Sequence, residues 1–64
     1  MRESIIKRIY RYAKNRNLEI EKIENLKMEY NDGYRFHCYH FWTSDNHCHS
    51  YCEMVSDKRY WFIV

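Results

Sequence analysis

The most reactive side chains of this sequence fall in one short segment. Seven histidines and cysteines lie within sixteen residues: His37, Cys38, His40, His47, Cys48, His49 and Cys52. Thiolates and imidazoles are ligands that zinc prefers, and a tetrahedral site needs four of them about 2.0–2.3 Å from the ion. Structural zinc sites usually draw their ligands from CxxC pairs, and this segment contains none. The residue types therefore suit a metal, but their spacing does not favour one.

Strand geometry limits which of these ligands can share an ion. Cys48 and Cys52 are four residues apart, which is about 13 Å along a strand at about 3.3 Å per residue. Cys38, Cys52 and His40 could gather from neighbouring strands, and would leave a fourth position open. We expect core cysteines and surface histidines, with no bound metal or cofactor. Zinc at this trio and a Cys38–Cys52 disulfide are the alternatives.

A chain of 64 residues leaves little room for a catalytic pocket. Cysteine–histidine or histidine–carboxylate catalysis needs a concave site with an oriented base, and ligand pockets usually enclose about 300 Å³ or more. We therefore expect a protein that is not an enzyme. A nuclease that uses His37, His49 and Glu53 is the catalytic alternative.

The composition is typical of one small domain in a reducing compartment. Three cysteines, an odd number, fit a reduced protein better than a disulfide scaffold. The N-terminus lacks the apolar core of a signal peptide, and the longest apolar run, residues 61–64, is too short to cross a bilayer. These features predict a complete, unprocessed cytoplasmic protein with no membrane partner.

Two periodicities divide the chain into one helix and four strands. Apolar residues recur at helical spacing near the N-terminus: Ile5, Ile6, Ile9, Tyr12 and Ala13. They predict a helix over about residues 3–16, with Ser4 as the N-cap and Asn15 or Asn17 in the left-handed conformation at its end. From Ile23 the period changes to two. Three turn segments then separate four strands, at about residues 23–30, 34–43, 47–55 and 59–64.

This order of elements predicts a single α+β domain over residues 1–64. Its one N-terminal helix packs on one face of a four-stranded antiparallel meander sheet. A three-residue loop at each turn gives the following pairs: Met28 with Phe36, Cys38 with Cys52, and Cys52 with Phe62. A slip of one residue in any hairpin would exchange the two faces of every strand beyond it.

The predicted register sorts the side chains onto two faces. The first, called here the cysteine face, is mainly apolar and holds Leu26, Met28, Tyr30, Phe36, Cys38, His40, Trp42, Cys48, Cys52, Met54, Tyr60 and Phe62. The second, called here the aromatic–histidine face, holds Arg35, His37, Tyr39, Phe41, His49, Tyr51, Glu53, Trp61 and Ile63. Because the cysteine face is mainly apolar, we expect the helix to pack on it and the aromatic–histidine face to be exposed.

An exposed sheet face of aromatic residues is typical of an interaction surface. Solvated sheet faces are usually rich in small polar and charged residues, whereas Tyr, Trp and Arg are enriched at the centres of interfaces. The predicted partner-binding residues are Arg35, His37, Tyr39, Phe41, His49, Tyr51 and Trp61. Alternatively, the aromatic residues only stabilise the sheet by cross-strand pairing.

The N-terminal helix offers a second kind of surface. Residues 1–16 carry six arginines and lysines and one glutamate, although the net charge of the whole chain is only +2. Nucleic-acid binding through Lys7, Arg8, Arg11 and Lys14 is therefore the alternative function. The last strand is an edge with one charge, Arg59, and could pair with a second copy, so a structural homodimer is a further alternative.

In size, compactness and aromatic content, the chain resembles the small single-domain inhibitors that phages and mobile elements use against host defence systems, anti-CRISPR proteins among them. The resemblance rests on no motif. It implies a non-enzymatic protein that acts by covering a functional surface of a larger host protein or protein complex. The richness in Ile, Lys, Asn and Tyr also indicates an A+T-rich genome, such as that of a low-G+C bacterium or one of its mobile elements.

Overall fold

The computed structural model describes residues 2–64, apart from the side chains of Leu26, Lys27 and Asn31. Helix α1 is followed by four strands: α1 Glu3–Lys14, β1 Ile20–Asn31, β2 Tyr34–Thr43, β3 Cys48–Met54 and β4 Trp61–Ile63. The strands form one antiparallel sheet in the order β1-β2-β3-β4. The predicted α+β fold, one helix and a four-stranded meander, is therefore confirmed. Over residues 2–64, no helix is long and apolar enough to cross a bilayer.

The C-terminal end of helix α1 is fixed by an asparagine. Asn17 takes the left-handed conformation with φ 57°. Its N–H donates to the carbonyl of Lys14 at 3.1 Å, and the N–H of Leu18 donates to the carbonyl of Ala13 at 2.9 Å. This pair of bonds is the Schellman motif, which satisfies carbonyls that the helix leaves free. The prediction that Asn15 or Asn17 would end the helix in this way is confirmed at Asn17.

The N-terminal end of helix α1 differs from the prediction. The N-cap is Arg2, which makes no side-chain capping bond, and Ser4 lies inside the first turn. The prediction of Ser4 as the N-cap is therefore wrong, because the helix already begins at Glu3. A carboxylate in the first turn interacts favourably with the positive end of the helix dipole, which compensates in part for the missing cap.

The first hairpin has a two-residue loop rather than the predicted three-residue loop. Asp32 and Gly33 have φ of 51° and 80°, so both central residues are left-handed. This is the type I′ geometry that Asp-Gly favours, and its twist matches that of the flanking strands. Asn31 therefore pairs with Tyr34, and each residue of β1 near the turn shifts by one position against β2.

The shift in the first hairpin is cancelled by a β-bulge. Near the turn, Glu29 pairs with Phe36, so the predicted pairing of Met28 with Phe36 is wrong. Between Asn25 and Met28 the register shifts by one residue, so that two residues of β1 lie opposite Cys38. As a result, Glu29 lies on the cysteine face, whereas Met28 and Tyr30 lie on the aromatic–histidine face. The predicted assignment of Leu26 to a face concerns a side chain outside the described residues.

The second and third hairpins have the predicted register. Cys38 pairs with Cys52, and Cys52 pairs with Phe62. In the β2–β3 loop, Asn46 takes the left-handed conformation with φ 65°. The N–H of Thr43 donates to the carbonyl of His47 at 3.0 Å and closes the three-residue loop. These two pairings are therefore confirmed.

Helix α1 packs on the aromatic–histidine face, which reverses the predicted arrangement. Its buried residues Ile5 and Ile9 form one core with three aromatic residues of the sheet, Tyr39, Phe41 and Tyr51. The rings of Tyr12 and Phe41 are in edge-to-face contact, with centroids 5.8 Å apart. The prediction that the helix would cover the cysteine face is wrong, and the cysteine face is the one that it leaves open.

The apolar residues of β1 give a physical reason for this reversal. Ile20 and Ile23 pair with Thr43 and Phe41, and both pack against the helix-bearing core. Lys22 pairs with Trp42 and lies on the cysteine face, because the register shifts by one residue between Ile20 and Lys22. Branched aliphatic residues thus extend the apolar area beneath the helix, whereas β1 contributes charges to the opposite face.

Candidate functional site

The cysteine face carries an apolar cluster with no helix over it. Phe36, Cys38 and Cys52 are buried there, and Met54 and Phe62 pack against them. The rings of Phe36 and Phe62 meet edge to face at 5.7 Å between centroids. Because cysteine is short, the taller neighbouring side chains bury the two thiols even though the face is open.

Part of the exposed surface of this face is a cleft near the first turn. We call it the aromatic cleft; it encloses about 330 Å³ and is lined by Asp32, Tyr34, Phe36, Met54, Tyr60 and Phe62. Tyr34 and Tyr60 are 54% and 57% exposed, so their rings are accessible at its rim. Phe36 lies 6.4 Å from Tyr60 between ring centroids. The cleft thus offers apolar contact area together with two phenol hydroxyls that can bind a polar partner group.

Two thiols and a carboxylate meet beside the aromatic cleft. The Sγ atoms of Cys38 and Cys52 are 2.8 Å apart, and Oε2 of Glu29 lies 3.7 Å from Sγ of Cys38. Burial raises the pKa of the Cys38 thiol well above its ordinary value, and the neighbouring Cys52 and Glu29 raise it further. The Cys38 thiol therefore stays protonated at neutral pH in the metal-free protein.

The sequence prediction for this cluster was correct in part. Cys38 and Cys52 do come together, and both are free cysteines. Among the described residues, the third ligand atom within 4.8 Å of both sulfurs belongs to Glu29 and not to His40. Glu29 was missed because its face depends on the type of the first turn. The Asp32-Gly33 dipeptide, which favours a two-residue loop, was the signal that could have placed it.

Three of the predicted partner-binding residues are in the core. Tyr39, Phe41 and Tyr51 are 4%, 0% and 0% exposed beneath helix α1. Their predicted role as exposed anchors is therefore wrong, because the helix occupies the surface that a partner would need. Trp61 is 38% exposed and Arg35 is also exposed. Trp61 lies against the helix, with its ring centroid 5.0 Å from the guanidinium of Arg8.

The two histidines of the aromatic–histidine face are held by intramolecular contacts. His37 Nε2 lies 2.8 Å from Oδ1 of Asn25, and its ring stacks on Tyr39. His49 Nε2 lies 3.1 Å from Oγ1 of Thr43, and its ring stacks on Phe41. Each histidine therefore has a structural role in the sheet. His37 pairs with Glu53 across the β2–β3 ladder, but His49 lies four residues from Glu53 along β3, about 13 Å away, so the three do not meet in one site.

Glu53 is a buried carboxylate at the N-terminal end of the helix. It is 4% exposed and forms an ion pair with Arg2. It also accepts hydrogen bonds from Arg8 Nη1 at 3.0 Å and from the Tyr51 hydroxyl at 3.2 Å. The guanidinium of Arg8 lies 5.0 Å from the ring centroid of Trp61. This network fastens helix α1 to strands β3 and β4.

The four predicted nucleic-acid-binding residues of helix α1 differ in whether they form an ion pair within the protein. Arg8 is committed to the Glu53 network, and Lys7 lies 3.4 Å from the carboxylate of Glu3 in the same helix. Arg11 and Lys14 are exposed and form no ion pair with any described residue. Of the four predicted nucleic-acid contacts, Arg8 is therefore paired with a buried carboxylate and Lys7 with an exposed one.

No known protein family, curated protein or solved structure matches this chain. Its functional interpretation therefore rests on the open cysteine face, the thiol–carboxylate cluster within it and the basic residues of helix α1.

Proposed function

We propose that this protein is a small non-enzymatic protein-binding module and that the aromatic cleft of the cysteine face is its contact surface. The uncovered face of the sheet is the observation that carries the proposal. Tyr34 and Tyr60, each more than half exposed, would be the anchors. Phe36, Met54 and Phe62 would form the apolar floor of the contact.

The chemistry of the cleft supports a protein partner. Aromatic residues and methionine are enriched at the centres of protein interfaces, where aromatic rings bury a large area at a low cost in conformational entropy. Of the described residues that line the cleft, four are aromatic, one is methionine, and Asp32 is the one that carries a charge. A partner that presents an apolar side chain to the cleft, with donors or acceptors for the two phenols, would match it.

The small size of the chain supports a role as an inhibitor or adaptor. With 64 residues, it can act by covering a functional surface of a larger host protein or complex, as anti-CRISPR-like proteins of phages and mobile elements do. We place this action in the cytoplasm, which the three free cysteines support.

The test is affinity capture from a bacterial lysate, with and without nuclease treatment, using three forms of the tagged protein. These are the unmodified chain, the variant Tyr34→Ala/Tyr60→Ala and the control Tyr10→Ala. Tyr10 is 50% exposed but lies on helix α1, outside the cleft. The control therefore removes an exposed tyrosine ring, as the cleft variant does, but leaves the cleft unchanged. We expect one protein to be recovered by the unmodified chain and by the control, and to be lost with the cleft variant.

The affinity of the recovered protein then measures the contribution of each anchor. Truncation of an interface anchor costs about 2 kcal/mol or more, which corresponds to about a 30-fold weaker Kd. Equal binding by the folded cleft variant and the control would refute the assignment of the cleft. Circular dichroism of all three forms verifies that the fold is unchanged.

The same experiment distinguishes the alternatives. If nucleic acid alone is recovered and is lost on nuclease treatment, the function moves to the exposed basic residues Arg11 and Lys14 of helix α1. That function also predicts affinity that falls steeply with salt. Recovery of further copies of this chain alone, with a dimer in sedimentation that the cleft variant abolishes, would make the cleft a homodimer interface.

A further inference from the structure

We propose that Glu29, Cys38 and Cys52 bind one Zn²⁺ ion. Among the described residues, their three ligand atoms all lie within 4.8 Å of one another. Two thiolates and one carboxylate are all ligands that zinc accepts, and sites with three protein ligands keep a fourth position for water or another group. The inference is independent of the proposed partner, because the site belongs to the isolated chain.

The type I′ turn and the β-bulge of strand β1 are together the strongest argument for the site. The two-residue turn pairs Glu29 with Phe36 and so puts it on the cysteine face, where its carboxylate is 3.7 Å from Sγ of Cys38. The extra residue between Asn25 and Met28 then returns the rest of β1 to the register that keeps Ile23 beneath the helix. Bulges are often found next to functional sites. Here the turn and the bulge let one strand bring a carboxylate to two buried thiols on one face and an isoleucine to the core on the other.

The electrostatics of the cluster favour a cation. Cys38 is 1% exposed and Cys52 is 7% exposed. Three groups that are anionic when ionised therefore converge beside apolar side chains, where like charges repel strongly. A bound divalent ion attracts all three groups and so offsets their mutual repulsion. It also keeps a coordinated thiol in its deprotonated form. A thiol must lose its proton to bind the ion, so metal uptake and proton release are coupled.

The backbone permits the small adjustment that the ion requires. Thr43 pairs with His47 and Val55 with Arg35 through hydrogen bonds at the two ends of the β2–β3 ladder. Hydrogen-bonded and non-hydrogen-bonded pairs alternate along an antiparallel ladder, so Cys38 and Cys52 form a non-hydrogen-bonded pair. The side chains of such a pair are closer together than those of a hydrogen-bonded pair. Two sulfurs on one tetrahedral zinc are about 3.8 Å apart, given Zn–S bonds of about 2.3 Å. The sulfurs must therefore separate by about 1 Å from their present 2.8 Å, which rotation about χ1 supplies.

Zinc binding at this site exchanges two thiol protons for one metal ion. Two thiols and one carboxylate take up Zn²⁺ and release two protons, which leaves a site with a net charge of −1. Affinity must therefore rise with pH, with close to two protons released for each ion bound. Phe36 and Phe62 flank the site and shield the sulfurs from water.

The test is zinc binding by the purified full-length chain under a non-thiol reductant. A competing chromophoric chelator gives the stoichiometry and affinity, and Co²⁺ reports thiolate ligation through its charge-transfer absorption. Calorimetry in buffers of different ionisation enthalpy counts the protons released. We expect one ion per chain, thiolate absorption with Co²⁺, and release of about two protons per ion.

Matched variants distinguish this site from other ligands. We expect Cys38→Ser or Cys52→Ser to abolish the Co²⁺ band, and Glu29→Gln to weaken zinc binding by about tenfold or more. Cys48→Ser removes an exposed cysteine outside the cluster, and Glu24→Gln removes another carboxylate of β1. Both should bind as the unmodified chain does. Because Glu29 is exposed, Glu29→Gln remains informative even if a cysteine variant fails to fold.

Three results would overturn the site. The first is the absence of zinc uptake by the reduced protein. The second is uptake that Glu29→Gln and the folded cysteine variants leave unchanged. The third is recovery of Cys38 and Cys52 as a disulfide from reducing cells, without zinc. None of these results bears on the aromatic cleft, and failure of the cleft variants to lose a partner would not bear on the zinc site.

Discussion

At the scale of single residues, Glu53 shows how this small fold compensates for burying a charge. Its carboxylate is 4% exposed. An isolated buried carboxylate would be costly, but two arginines and a tyrosine hydroxyl bond to it. The arginines keep contact with water, since 42% of the Arg2 side chain and 25% of the Arg8 side chain are exposed. The cost of breaking the network therefore depends on which partner is removed.

This asymmetry gives a prediction for stability. We expect Glu53→Gln to lower the free energy of unfolding by about 1–2 kcal/mol. The loss is limited because Arg2 and Arg8 are partly exposed and can bind water in place of the carboxylate. The double variant Arg2→Ala/Arg8→Met should cost about 3–5 kcal/mol, because it leaves a buried carboxylate without a cation. Urea unfolding followed by circular dichroism measures both values.

The exposed Lys22–Glu24 pair is the control for the Glu53 network. These side chains lie 2.7 Å apart and are both well exposed, so Glu24→Gln should change stability by less than about 1 kcal/mol. Equal effects of Glu53→Gln and the double variant would contradict the described burial of Glu53.

The sequence predicted the contact between Cys38 and Cys52 but not the approach of Glu29. The cysteine pair depends on one hairpin, whose three-residue loop was correctly predicted. The face of Glu29 depends on the type I′ turn at Asp32 and Gly33, and the bulge that precedes this turn in the chain restores the predicted register over residues 22–25. A bulge leaves no periodic signal in the sequence, because the alternation simply changes phase at one residue.

At the scale of elements, helix α1 is stabilised by a narrow stripe of contacts. Its buried residues Ile5, Ile9 and Ala13 are spaced by four and face the aromatic core. A helix of 12 residues is marginal on its own, so packing must supply most of its stability. The predicted apolar stripe also included Ile6, but that side chain is 37% exposed at the margin of the contact.

A matched pair of variants tests this stripe. Ile9 is fully buried, and we expect Ile9→Ala to lower the free energy of unfolding by about 2–4 kcal/mol, through lost apolar burial and the cavity left behind. Ile6→Ala removes the same atoms from the same helix, and should cost less than about 1 kcal/mol because much of Ile6 stays in water. Thermal and urea unfolding measure both. Similar losses for the two variants would show that the helix is rotated from its described position.

The positions of the elements were largely predictable because each depends on local signals. The change from helical to alternating periodicity separated α1 from β1, and asparagine at positive φ ended the helix at Asn17. The order of the strands followed from three short turns. Local propensity did not predict the start of β1 at Ile20, because pairing with Thr43 across the sheet extends that strand.

At the scale of the whole molecule, the choice of the face that the helix covers is the property that sequence reasoning missed. Both faces of the sheet are rich in aromatic residues, so composition alone did not decide between them. Two sets of contacts on the aromatic–histidine face decide that the helix covers it. They are the packing of Ile20 and Ile23 of β1 against the core and the ion pair of Arg2 with Glu53. The consequence for function is direct, because the open face and its aromatic cleft are those that the prediction had assigned to the core.

The most direct test of this arrangement is nuclear magnetic resonance of the aromatic rings in the presence of a soluble paramagnetic probe. We predict strong broadening of the Tyr34 and Tyr60 ring signals and protection of Phe41 and Tyr51, which are fully buried beneath the helix. Nuclear Overhauser contacts should join the methyl groups of Ile9 to the Phe41 ring, since both belong to one core cluster. Broadening of Phe41 and Tyr51, with Tyr34 and Tyr60 protected, would place the helix on the cysteine face and contradict the account of the binding surface.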